Sequence, residues 1–492
     1  MSNPTSAELD LQRRALSVLT ELAPAAVELG EVFRGAGHEL ALVGGPVRDA
    51  FLGRASADLD FATSATPDET LALLAAWGDA HWDIGKEFGT IGAKRFAGRR
   101  GDADDVVVEV TTYRSDEYDP ESRKPVVAFG RTLEGDLSRR DFTVNAMAVR
   151  LPDLVFVDPH DGLADLAAGV LRTPIAPERS FDDDPLRMMR AARFAAQLGF
   201  HVEHSTLEAA TQMAQRIEIV SAERVRDELD KLLLSATPRD GLGVLVATGL
   251  ADHVLPELPA LRLEIDEHHR HKDVYEHTLT VLEQAIDLET GPDGAVPRPD
   301  RVLRLAALLH DIGKPATRRF EQGGGVSFHH HEMVGAKLTA KRLRALRYDK
   351  ETVRAVSRLV ELHLRFHGYG DGTWTDSAVR RYVTDAGPLL ERLHRLTRAD
   401  CTTRNRRKAK RLSDAYDDLE QRIERLRGEE ELASIRPDLD GGQIMEILGL
   451  RPGPEVGQAY RFLMELRLDR GPVGADTARD ELLRWWSERP TS

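Results

Sequence analysis

The sequence predicts an α+β head, with a mixed sheet and helices, followed by an all-helical remainder. Three observations predict it. Short apolar runs of strand length fall at Leu40–Val43, 59–62, 90–96 and Val106–Thr112, with a helical stretch at Pro67–Trp77 between them. From Ser180 onward apolar residues recur at helical spacing. With 492 residues, 41% of them hydrophobic, the chain can bury several cores, so two to four domains are expected.

Taken in order, residues 1–37 form an N-terminal extension with an amphipathic helix over 7–22 that packs on the domain behind it. In 42–63 an apolar run ends in Gly44-Gly45, a helix begins after Pro46, and a second strand carries Asp58 and Asp60. Carboxylates at i and i+2 of a strand point to one face. They can hold a hard divalent cation through oxygen ligands, which suits phosphoryl or nucleotidyl transfer. Thr66 caps the next helix, with Pro67 in its first turn.

Glu109 sits among valines at 106–110, where a solvent-facing residue of an alternating strand is the ordinary reading. Beside Asp58 and Asp60 it would instead complete a metal site that activates a hydroxyl and holds a triphosphate. The charged, proline-containing stretch 114–134 reads as a mobile loop. Behind it, Arg139 and Arg140 can bind phosphate while Asp141 accepts from ribose hydroxyls; a surface ion-pair cluster explains the same run equally well. Asp182-Asp183-Asp184-Pro185 reads as an acidic helix start, and Arg187, Arg190 and Arg193 recur every third residue behind it. That stripe is either a solvated basic face or a carboxylate and guanidinium presented to the edge of a base.

The formal net charge of −15 argues against a protein that coats nucleic acid by bulk charge. A local groove is still available at 404–411, where six arginines and lysines run along a helix that continues to about 427. One cysteine, Cys401, excludes an intramolecular disulfide and fits a reducing compartment. The first residues carry no basic stretch followed by an apolar one, and no apolar run reaches membrane-spanning length, so a cytoplasmic location is expected.

Gly44-Gly45-Pro46-Val47-Arg48-Asp49 with Asp58-Leu59-Asp60, then Arg139-Arg140-Asp141-Phe142-Thr143-Val144-Asn145-Ala146, then Asp158-Pro159-His160-Asp161-Gly162-Leu163, then Asp184-Pro185-Leu186-Arg187 through Phe194 resembles the class II tRNA nucleotidyltransferases. These are the CCA-adding enzymes of the polymerase-β-like superfamily, with bacterial poly(A) polymerases as close relatives. The resemblance implies a catalytic head at 38–175 and a helical neck at 176–260. It implies that Asp58, Asp60 and Glu109 are catalytic and hold Mg²⁺, and that Gly44, Gly45 and Arg48 meet the triphosphate. By the same resemblance Arg139, Arg140 and Asp141 contact phosphate and ribose, Asp184 and Arg187 select CTP or ATP by the base, and Arg190 and Arg193 support nucleotide or primer. Asp183 stands where glutamate is usual.

Residues 265–430 are rich in histidine, and 431–492 read as a tail of short helices. His277, His310-Asp311, His331, His363 and Asp400 resemble the HD phosphohydrolase family in its own order. Of the successive histidines 329–331, His331 matches, being followed by Glu332 and Gly335-Ala336. Imidazole with carboxylate suits a divalent transition metal or a dinuclear site that activates water against a phosphoester. The implied enzyme extends tRNA with CTP and ATP, without a template, and adds a candidate hydrolase activity. Its alternatives are a poly(A) polymerase, a CC-only or A-only adding enzyme, or chiefly an HD metal-dependent phosphohydrolase. Oligomeric state is not readable from the sequence.

Overall fold

The computed structural model describes residues 17, 24–54, 58–96, 105–117, 126–262, 273–290, 296–321, 326–366, 369, 374–402, 406–430 and 435–489. The helix expected over 7–22 lies outside them, Ser17 aside. The chain divides into two compact units, 1–256 and 257–492.

The first unit is built on seven strands, β1 Leu40–Val43, β2 Asp58–Thr63, β3 Ala80–Trp82, β4 Thr90–Arg95, β5 Val106–Thr112, β8 Ala148–Leu151 and β9 Val155–Val157. Their order is β3-β4-β5-β2-β1-β8-β9, and β2 and β5 run parallel while the other neighbours are antiparallel. In β1 all four residues are buried, as a central strand covered on both faces requires. Leu40 and Leu42 join a core with Phe33, Phe61, Val108, Val110 and Phe142. Ala41 and Val43, on the opposite face, join Ala62, Tyr113, Leu133 and Leu137.

Local signals account for most element ends. Thr66 and Glu69 form a reciprocal capping box at Pro67–Trp77, worth about 1 kcal/mol to that helix. The stretch 114–134 differs from the loop its composition suggests. It contains an antiparallel strand pair, β6 Arg114–Glu117 with β7 Val126–Phe129, then the start of the helix Leu133–Ser138 capped by Thr132. Three β-branched or aromatic residues, Val126, Val127 and Phe129, against polar partners make a short ladder that carries no helical or alternating signature of its own.

A second correction concerns 182–184. These acidic residues close the helix Pro177–Asp183, with Asp184 extended at φ −145° and ψ 99°, and the next helix is Leu186–Leu198. Proline at 185 disfavours helical geometry in the residue before it. Arg187 and Arg193 on that helix are buried, which removes the solvated-stripe reading.

Among its described residues the second unit is helical, apart from a two-residue ladder between Arg319–Phe320 and Val326–Ser327 and an isolated bridge. The central helix Arg301–Leu309 is buried from Leu303 to Leu309, and Arg304 pairs with Glu289 inside it at 2.7 and 2.8 Å. Leu439, Ile444, Ala459, Leu463 and Leu482 form a separate small core near the end of the chain. Among the described residues no helix is long and apolar enough to cross a membrane.

Candidate active site and candidate metal centre

On the sheet, Asp60 of β2 and Glu109 of β5 are register partners. Their neighbours Leu59, Phe61, Val108 and Val110 face the core, so the two exposed carboxylates share the other face. Asp58 opens β2 opposite Val107, two positions before Asp60. Adjacent exposed carboxylates are hard oxygen donors suited to a divalent cation. Gly44, at φ +74°, precedes the helix Gly45–Phe51. A Cβ there would be strained and would lie 3.0 Å from Nη1 of Arg140.

A buried polar chain then joins three motifs that are far apart in sequence. Arg48 donates through Nη1 to Asn145 Oδ1 at 2.6 Å and through Nε to Asp49 at 2.9 Å. Asn145 Nδ2 donates to Asp141 Oδ1 at 3.0 Å, and Arg190 donates through Nε to Asp141 Oδ2 at 2.8 Å. Burial pushes the Asp141 carboxyl up, but the Arg190 guanidinium, the Asn145 and Phe142 N–H donors and Arg187 together outweigh it and bring it down to about 2. Asp141 was expected at the ribose; its oxygens are instead taken by Asn145, Arg190 and the Phe142 N–H, because it is buried among them.

Asp136, 1% exposed, accepts from Arg139 at 2.9 Å and from Arg140 at 3.1 Å, and its partner at the start of β6 is the Arg114 N–H. Burial raises its pKa, and Arg140 and Arg139 outweigh that to hold it below the usual carboxylate range. Arg187 donates to Ser180 Oγ at 2.9 Å and to the Arg139 carbonyl at 2.6 Å. Asp184 accepts from the Leu186 N–H and, at 2.9 Å, from Arg224. Arg193 is buried on Glu228 at 2.5 Å and lies 3.9 Å over the Phe194 ring, so it packs the helix and is not open to a ligand. Asn145, Asp136, Arg224 and Glu228 were not singled out from the sequence. Only Asn145 had a signal, standing inside the Arg139 to Ala146 motif.

In the second unit the structure brings all six HD-type residues together. His277, His310 and Asp400 form one group, and Asp311, His331 and His363 another, each with ligand atoms within 4.8 Å. Nε2 of His277 is 2.9 Å from Asp400 and 3.6 Å from Asp311, so the groups adjoin. Nδ1 of His310, His331 and His363 donates to the carbonyls of Ala307, Phe328 and Val360 at 2.9, 2.8 and 2.6 Å. This fixes the tautomer with a lone pair on Nε2, and all three buried Nε2 atoms lack a hydrogen-bond partner. Orphaned imidazole nitrogens beside carboxylates fit a divalent transition metal.

His329 and His330 are exposed, while His331 is buried. Gly313 makes the approach possible, since a Cβ would lie 2.1 Å from the His331 carbonyl. Burial lowers the His310 pKa, but the Asp311 carboxylate outweighs it and raises the pKa overall. Burial and the His310 charge push His363 down to about 4. Asp311 and Asp400 are held well below the usual range despite burial, by the imidazoles around them. Farther along, Arg407, Lys410 and Arg411 are exposed on the helix Arg406–Glu430, whereas residues 404 and 405 lie outside the described ones.

Residues 40–172 match the family described as Poly A polymerase head domain, 199–261 the probable RNA and SrmB-binding site of polymerase A, and 274–405 the HD domain. The A-adding tRNA nucleotidyltransferase of Deinococcus radiodurans is 36% identical over 460 residues, 92% of this chain and 96% of the relative. The CCA-adding enzyme of Streptococcus thermophilus is 31% identical over 470 residues, 95% and 96% of the two chains. In fold, the chain is similar to the Bacillus stearothermophilus CCA-adding enzyme solved with CTP, with a TM-score of 0.65 at 23% identity, covering 94% of this chain and 98% of that one.

Proposed function

Because the chain belongs to the tRNA nucleotidyltransferase family, we propose that it adds C, C and A to the 3′ end of tRNA from CTP and ATP. The observation that carries the reading is the chain Arg48–Asn145–Asp141–Arg190, which ties the helix after the glycine turn to the helix behind Asp184. The chemistry end and the base-choosing end are thereby held as one body. Asp58, Asp60 and Glu109 would hold Mg²⁺ in the head. Bound there, a divalent cation supplies charge stabilisation for the triphosphate and acidifies the attacking hydroxyl.

The terminal 3′ oxygen bonds to the α-phosphorus as the bond to the β-phosphate oxygen breaks, and pyrophosphate leaves. The Gly45 N–H faces the triphosphate with Arg48 anchored beside it, while Gly44, whose own N–H donates to the Met147 carbonyl at 3.3 Å, makes the turn that lets the phosphates approach. Arg139 and Arg140, held by Asp136, meet phosphate. Asp184 and Arg187 present an acceptor and donors to the base, and Arg190 and Arg193 support that pair from behind. Arg407, Lys410 and Arg411 track tRNA phosphates.

A second activity is proposed for the HD-type centre. His277, His310, Asp311, His331, His363 and Asp400 would hold a divalent transition metal, which supplies an activated water for hydrolysis of a phosphoester. A second reading of the head, A-only addition, is favoured by the Deinococcus radiodurans relative. Transcripts of tRNA ending before CCA, after C and after CC, each given CTP or ATP with Mg²⁺, separate the two. Use of CTP on the first two and of ATP on the third supports CCA addition. Use of ATP alone, only on the third, supports the other reading.

A further inference from the structure

The second unit carries a cleft of about 620 Å³ between the helices His331–Ala345 and Lys350–Leu362, away from the ligand side chains at their ends. Its lining holds five cations, Arg344, Arg347, Lys350, Arg354 and Arg358, against one carboxylate, Glu361. In a chain of net charge −15 that is a strong local reversal of sign. Arg358 is matched by Glu361 at 2.9 Å and by Asp385 at 3.4 Å. Arg344, Lys350 and Arg354 are exposed and have no ion-pair partner among the described residues.

Lys350, Arg354 and Arg358 follow at four-residue spacing, so they line one helix face over roughly 12 Å. Ala336 and Ala340 stand eight and four residues before Arg344 on the facing helix, which keeps the floor low between the cationic walls. Ser357 also lines the cleft, and its buried Oγ has no hydrogen-bond partner. A row of charges this long exceeds one phosphate group and fits a series of them.

We propose that this cleft docks the phosphate backbone of the tRNA body, away from the end that is extended. The proposal rests on tRNA being the substrate and adds a surface that the catalytic motifs do not include. Contacts to phosphate carry no sequence information but set affinity and its salt dependence.

The test combines Arg344→Ala, Lys350→Ala and Arg354→Ala in the full chain, with thermal melting to check the fold. Full-length tRNA should show a KM about tenfold higher near 0.15 M salt, and the slope of log KM against log salt should fall by roughly 2 to 3. The kcat, the nucleotide KM and extension of a short acceptor-stem hairpin should stay at wild-type values. Arg354→Lys alone should keep the wild-type slope. An unchanged KM and slope, with the wild-type chain extending tRNA normally, overturns the proposal and leaves the function standing. If the wild-type chain extends no tRNA, the function reading fails, and the salt dependence of tRNA binding in wild type and variant still decides for or against the surface. Loss of inorganic triphosphate binding in the variant, with tRNA binding intact, assigns the cleft to a small anion and also overturns it.

Discussion

Asp60 and Glu109 are register partners on parallel strands, so two carboxylates separated by 49 positions stand side by side on the exposed face of one sheet. Neither is replaceable by an amide if both hold the cation. Asp60→Asn should lower nucleotide incorporation at least ~1,000-fold and Glu109→Gln ~10- to 100-fold, with melting temperature unchanged. A Glu109→Gln enzyme of wild-type rate would return Glu109 to the role of a solvent-facing strand residue.

Asp136→Asn removes the counter-charge shared by Arg139 and Arg140. Breaking a buried pair from one side should destabilise the first unit by roughly 3 kcal/mol. The KM for CTP and ATP should rise about tenfold, since neither guanidinium is held in place. Chemical denaturation and steady-state kinetics check the two effects separately.

Arg224 reaches Asp184 from the helix Ala222–Leu233. Asp184→Ala should cut discrimination of CTP against UTP and GTP by about tenfold or more in kcat/KM. Arg224→Ala should shift the same ratio in the same direction by a smaller factor. Lower kcat with selectivity intact in both would remove Asp184 from base choice.

His310→Ala should abolish binding of divalent transition metals to the second unit, together with any phosphoester hydrolysis, and leave nucleotide addition to tRNA intact. Equilibrium dialysis with metal analysis reads the first effect. Chelation of the wild-type chain should lower its melting temperature, since the cation binds only the folded site. Undiminished metal content in the His310→Ala chain contradicts the ligand set.

His394 is buried, stacked on Tyr382 at 5.8 Å, with neither ring nitrogen hydrogen-bonded. Burial, with Arg395 and Arg398 nearby, pushes it down to about 4. The fold therefore binds the neutral ring, and the unfolded chain takes up a proton first as pH falls below about 6.5. That stabilisation is complete above pH 6.5 and is lost as pH falls toward 4, by at most about 3 kcal/mol. His394→Phe should flatten the stability curve between those values in urea denaturation at pH 7.5 and 5.

The sequence made the strands, the Thr66 cap and the carboxylates legible because period, capping residues and motif order are local signals. The register that sets Asp60 beside Glu109 is not local, and neither is the chain through Asn145. Arg193 shows the limit from the other side. Its spacing matches a base-facing stripe, yet Glu228, 35 residues later, holds it in the interior. The strand pair of 114–117 with 126–129 and the extended backbone of Asp184 are not legible in the sequence, for want of a periodic pattern long enough to read. In the second unit, histidine order alone pointed to the cluster, while the carbonyl contacts that fix each ring are visible only in the fold.

The central claim is tested most directly by the 3′ sequence of a tRNA lacking all three terminal nucleotides, after incubation with the full chain, CTP, ATP and Mg²⁺. The account predicts addition of C, C and A in that order, and then arrest. No addition to that end, with A added only to a tRNA already ending in CC, or a run of A on any RNA, would contradict it.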